Sequence, residues 1–142
     1  MNTTDIQKRI ERFQAYGNTL PGARVYFRED WETLYFDLDG KQFGMMSPEE
    51  NEKALITLKH FPEKNEELRT MYPGIIIPGY YANKKHWNSI MLGKDELSDE
   101  EIEKMILISY KLVLAKFAKK KQEEIKNSVI ESLKGHQSFS SR

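Results

Sequence analysis

Asp39-Gly40 is the feature that most narrows the folds open to this chain. Both residues accept the left-handed backbone of a two-residue hairpin turn, and they separate two runs that can pair. Residues 31–38 come first, with Leu34, Phe36 and Leu38 on one face, and residues 41–46 follow. Such neighbours pair antiparallel, so the chain is committed to a sheet with at least one apolar face. The turn Thr19-Leu20-Pro21-Gly22 leads into an earlier strand in which Val25 and Phe27 alternate with polar residues. After the polar loop 47–51, Ala54, Ile56 and Leu58 alternate with Leu55, Thr57 and Lys59 as a fourth strand.

Helical signals flank these strands. Thr4, with Gln7 three residues on, is expected to cap a first helix whose apolar stripe is Ile6, Ile10 and Phe13, and Gly17 is expected to end it. Pro62 suits the first position of a short helix that Pro73 forbids from continuing. Ser98 with Glu101 forms a capping box, and Leu97 and Ile102 are placed for a hydrophobic staple. The helix that follows is apolar nearly all round through Phe117, which implies burial. Beyond a lysine run at 119–121, read as a solvated helix face with phosphate binding as the alternative, Ile125, Val129 and Leu133 keep a narrow apolar stripe that suits either a dimer seam or a tail folded back on its own domain. The expected organisation is a domain over 1–118, a helical extension over 119–135 and a disordered end over 136–142. The fold class is α+β: two layers, an antiparallel β-sheet with helices packed on one face, and a long C-terminal helix.

At 142 residues one domain is expected, burying roughly two thirds of the surface its unfolded chain would expose. There is no cysteine, which removes disulfide scaffolds and thiolate nucleophiles and fits a reducing cytosol. No apolar run approaches the ~20 residues of a membrane span, and the N-terminus has no apolar signal core. A cytoplasmic protein without membrane contact is the expectation. Formal charge is zero, but residues 111–142 hold eight Lys or Arg against three Glu, so residues 1–110 are net acidic. Nucleic acid would therefore have to be held by a local patch and not by the field of the whole molecule.

The densest group of binding side chains lies within residues 73–92, PGIIIPGYYANKKHWNSIML. Ile75, Ile76 and Ile77 read as a buried strand, and Pro78-Gly79 stops it. Tyr80, Tyr81, Asn83, Lys84, Lys85, His86, Trp87 and Asn88 then form the tip of a hairpin that returns as a second strand. As a site, the tip offers lysines for phosphates, amides for hydrogen bonds and aromatic rings for stacking. As structure alone, it is a solvated loop with Trp87 in the core or at its rim. No other chemistry is declared. The three histidines have no metal partner at helical spacing, Asp37 to Gly40 fails as a calcium loop, and Tyr80-Tyr81 stand where a phosphate loop needs Lys and Ser or Thr. No catalytic set, metal or cofactor is expected, and the chain reads as a non-enzyme.

Leu20-Pro21-Gly22, FDLDGKQF (36–43), LITLK (55–59), ELRTMYP (67–73), IPGYYANKKHWNS (77–89) and Ser109-Tyr110, in this order, resemble the MmcQ/YjbR family over residues 1–117. The resemblance implies a compact α+β domain of the kind seen in frataxin-like and secretion-chaperone-like folds. Members are labelled DNA-binding through a double-wing arrangement of loops, and the residues carried over are Tyr80, Asn83, Lys84, Lys85, His86, Trp87 and Asn88. The extension after residue 118 and the acidic main body depart from that pattern. The expected function is weak, salt-sensitive DNA contact through the tip. The alternative is an adaptor for a protein or small ligand that uses the sheet face or the long helix, or self-association through Ile125, Val129 and Leu133.

Overall fold

The computed structural model describes residues 1–79 and 83–127. Six strands, β1 (Ala23–Arg28), β2 (Thr33–Leu38), β3 (Lys41–Met46), β4 (Leu55–Lys59), β5 (Ile76–Pro78) and β6 (Trp87–Met91), form one antiparallel sheet in the order β1-β2-β3-β4-β6-β5. Helices α1 (Thr3–Thr19), α2 (Pro62–Met71) and α3 (Asp99–Leu114) pack on one side of it, α1 over β1, α3 over β2 to β4, and α2 over β5 and β6. This is the expected two-layer α+β domain. Among the described residues no helix is long and apolar enough to cross a membrane.

The pleat decides which residues meet the helices. Val25, Phe36, Gly44, Leu58 and Asn88 are cross-strand partners in one row and face the helical layer, together with Leu34, Met46, Ile56, Ile90 and Ile76 in the next such row. Tyr26, Tyr35, Met45, Thr57 and Ser89 make the intervening row, which faces the other side. The register shifts between Phe36 and Asp37, leaving Phe43 as the extra residue of a bulge. That shift turns Phe43 into the core, edge-on to both Phe36 and Tyr110. Gly44 makes room: a Cβ there would lie 3.0 Å from a Leu58 methyl and 3.2 Å from the Phe36 ring.

Two helix-end expectations give way to other residues. Asn2, not Thr4, caps α1, its side chain accepting from the Asp5 N–H at 2.9 Å. Gly17 does not stop that helix, which runs on to Thr19. A Cβ on Gly17 would fall 2.4 Å from Val25 Cγ2, so the glycine is there to let α1 approach the sheet. Ser98 caps α3 as expected, accepting from the Glu101 N–H. Ser109 and Tyr110 on α3 tie the two layers together: the Ser109 hydroxyl donates to the Phe43 carbonyl and accepts from the Lys59 N–H, and the Tyr110 hydroxyl donates to the Pro21 carbonyl.

After a break at 115–118 the chain is helical again over 119–127. Ile125 is 5% exposed and lies against Gly22, and Lys121 pairs with Asp39 at 2.9 Å. This segment therefore folds back onto the domain's own hairpin. Val129 and Leu133, and the expected disordered end at 136–142, fall outside the described residues.

Candidate nucleic-acid interface at the end of the sheet

The loop from β5 to β6 is built on Gly79 and Asn83. Gly79 donates its N–H to the Trp87 carbonyl at 3.0 Å, and a Cβ on it would sit 2.7 Å from Trp87 Cβ, so only glycine allows the two chains to approach this closely. Asn83 organises the return. Its carbonyl accepts from the N–H groups of His86 and Trp87, and its side-chain oxygen accepts from the Lys85 N–H, closing a tight turn. Tyr80 and Tyr81 fall outside the described residues.

Helix α2 holds this turn from within. Arg69 Nη1 donates to the Lys84 carbonyl at 2.9 Å and to Asn88 Oδ1 at 3.0 Å, and Asn65, fully buried, donates to the Lys85 carbonyl at 3.2 Å. The His60 N–H binds the His86 carbonyl. With the carbonyls of 84 and 85 drawn inward, the two lysines are exposed. Asn88 shares the brace: it is 4% exposed, and its amide donates to the Asn65 carbonyl. His86 and Trp87 are half-buried, and Asn83 is exposed. The tip thus presents Asn83, Lys84 and Lys85 outward, while Asn88 holds it to the helical layer.

Trp87 pairs with Lys59 across β4 and β6, and the Lys59 ammonium stands 5.8 Å from the indole ring. Burial, with the Lys116 ammonium beside it, pushes the Lys59 value down to about 8. Among the described residues none of Lys59, Lys84, Lys85 or Lys116, all at the tip end of the sheet, pairs with a carboxylate. One end of the sheet therefore concentrates cations in a chain with no net charge.

Trp87 and Asn83 also form one end of a trough of about 720 Å³ on the sheet face away from the helices. Thr33, Met45, Leu55 and Thr57 supply its floor, and Trp31 stands at the far end. Sequence reasoning missed Trp31, Lys53, Asn65 and the inward role of Arg69. For Trp31 a signal existed in the expected strand 31–38, whose odd positions face away from Leu34, Phe36 and Leu38, although the structure puts Trp31 in the turn before β2, edge-on to Tyr35 of that face. For Asn65 and Arg69 there was none, because nothing in α2 announces which loop it will underlie.

The architecture defines a small two-layer α+β domain, an antiparallel sheet with its helices on one side and an organised basic turn at one end. The chain belongs to the YjbR family, whose model matches residues 18–112 and so includes the tip and Ser109-Tyr110. It is 37% identical over 91 residues to the Uncharacterized protein YbdF of Escherichia coli O157:H7, an alignment spanning 64% of this chain and 72% of that protein. The crystal structure of Deinococcus radiodurans DR2400, which carries a DUF419 domain, matches with a TM-score of 0.73 at 30% identity, over 82% of this chain and 87% of that one. A protein from Pseudomonas syringae matches at 0.59 and 24% identity, over 72% of this chain and 96% of that one, a likeness of fold alone.

Proposed function

We propose that this YjbR-family protein acts by binding and not by catalysis, and that it contacts DNA through the turn at Asn83–Trp87 and the cations beside it. The observation that carries this reading is the contrast between the tip's backbone and its side chains. Arg69 and Asn65 take the carbonyls of Lys84 and Lys85, and the two ammonium groups are left without a carboxylate among the described residues. Lys59 and Lys116 extend the positive charge from the tip, which is how a neutral protein can hold phosphates locally. Specificity is slight on this reading, because lysines are point charges and few groups here are shaped to read base edges. The chain's lack of cysteine fits action in a reducing cytosol.

A labelled duplex titrated at two salt concentrations tests it. Each phosphate contact contributes about 0.9 to the slope of log K against log salt, so a folded Lys84→Ala, Lys85→Ala variant should flatten the slope by nearly two units. Absence of binding to duplex and single strand alike by the folded protein at low salt removes the reading. A second reading, an adaptor for a small ligand, is favoured by the trough, whose 720 Å³ lies within the ~300–1,000 Å³ usual for such sites.

A further inference from the structure

The nucleic-acid reading leaves the sheet's other face unexplained. Two tryptophans are all the chain has, and both line the same trough from opposite ends. Trp31 precedes β2 and Trp87 opens β6 level with the far end of β2, so they are separated by roughly 14 Å across the strands and at least about 13 Å along them. Trp31 is 51% exposed although it stacks under the Arg28 guanidinium at 4.0 Å and meets Tyr35 edge-on at 5.5 Å. Tyr26 lies 5.9 Å from Tyr35, with Arg24 above it at 4.8 Å. The sheet face thus carries a fixed set of aromatic rings interleaved with guanidinium groups at one end, and an indole beside an ammonium at the other.

From this we infer that the nucleic acid taken is single-stranded, lying along the trough with bases stacked on Trp87 and Trp31 and phosphates turned outward to Lys53, Lys59 and the tip lysines. The inference rests on the nucleic-acid reading above. Its support is a match of polarity. The floor residues Thr33, Met45, Leu55 and Thr57 carry no charge, Glu32 beside Trp31 is the one carboxylate of the lining among the described residues, and the Thr57 hydroxyl is already engaged with Ser89 at 2.7 Å. A duplex keeps its base faces stacked on one another and its phosphates outermost, so it would lay charge on that floor and leave both indoles without a partner. A single strand can rotate its bases inward and its phosphates toward the cations, because every unpaired base has a π-face to offer. The distance between the indoles calls for several nucleotides, which disfavours a mononucleotide as the natural occupant.

The test is a titration of the full chain with fluorescein-labelled oligo-dT and with a duplex of equal length. Tryptophan quenching is read in parallel in the protein itself and in the Trp31→Phe and Trp87→Phe variants, each of which leaves one reporter. The expected result is tighter binding of the single strand than of the duplex, with quenching of both indoles. Trp31→Ala should weaken oligo-dT binding roughly 5- to 150-fold, the range of one lost base stack, with an unchanged salt slope. The Lys84→Ala, Lys85→Ala variant should also weaken binding, but with a flatter salt slope and with quenching of both indoles retained. Duplex bound as tightly as the single strand, with Trp31→Ala indifferent, overturns the trough inference and leaves the nucleic-acid reading standing. Binding of neither probe overturns both.

Discussion

Arg69 and Lys84 meet through the backbone and not through their charges: the guanidinium donates to the Lys84 carbonyl at 2.9 Å. One cation thereby fixes where another points, since the held carbonyl leaves the Lys84 side chain exposed. Arg69→Ala removes this bond and also strips Asn88 Oδ1, inside the protein, of its donor. The expected cost is about 1–3 kcal/mol, with the amide protons of His86 and Trp87 exchanging faster. A urea titration and native-state hydrogen exchange measure both, and unchanged protection of those amides would show that α2 does not organise the tip.

Gly79 is expected to be intolerant for lack of space. A Cβ there would meet Trp87 Cβ at 2.7 Å and the Trp87 carbonyl at 3.0 Å, contacts that only backbone movement relieves. Gly79→Ala should cost about 1–3 kcal/mol in urea unfolding. Because the clash is with atoms that any residue other than glycine keeps, Trp87→Ala should not rescue it. Rescue in the double variant would move the strain to the indole ring.

The sheet was legible because its signals are local. Asp39-Gly40 needs no tertiary partner to favour a hairpin, and Ser98 with Glu101 marks a helix start from four residues. What stayed hidden was set by contacts distant in sequence. Gly17 reads as a helix stop, yet its meaning lies in Val25 across the layer interface. Phe43 enters the core through a bulge that no alternation pattern announces. At the tip the residue types were readable but their directions were not. Asn88, grouped with the outward side chains, falls in the row of Leu58 and Phe36 and turns to the helices. Trp31 on the far face became part of a site only once β3 and β4 were laid between it and Trp87.

Ile125 gives a test of the C-terminal segment. Its side chain is 5% exposed against Gly22, whose φ of +73° already favours glycine and whose Cβ would lie 2.8 Å from Ile125 Cγ2. If the segment is part of the domain, Ile125→Ala should cost about 2–5 kcal/mol, as for a buried aliphatic residue elsewhere in a core. The exposed Lys121–Asp39 pair should contribute much less by comparison, because water and salt screen it. Urea midpoints of the two single variants decide the order. A surface-like change of about 0.5 kcal/mol or less for Ile125→Ala would detach the segment and return that residue to a role between molecules.

Lys59 couples the tip to pH with opposite signs for folding and binding. Its folded value near 8 lies below the ordinary 10.5, first because burial disfavours the ammonium and then because Lys116 is beside it. A lysine depressed on folding destabilises the protein while charged, and that penalty is in full force below pH 8. As pH rises from about 8 toward 10.5 the unfolded chain keeps a proton that the folded one has lost, so stability rises across this window. Phosphate binding runs the other way, because neutral Lys59 cannot replace a counterion. The slope of log K against log salt for a duplex should therefore fall by about 0.9 between pH 7 and pH 9.5. A bound phosphate favours the charged amine, so the midpoint in the complex should lie above that of the free protein. Lys59→Met should show the lower slope at both pH values and lose the rise in stability. Urea unfolding and duplex titration over the same pH range measure the two signs, and a slope that falls equally in Lys59→Met would assign the proton to another group.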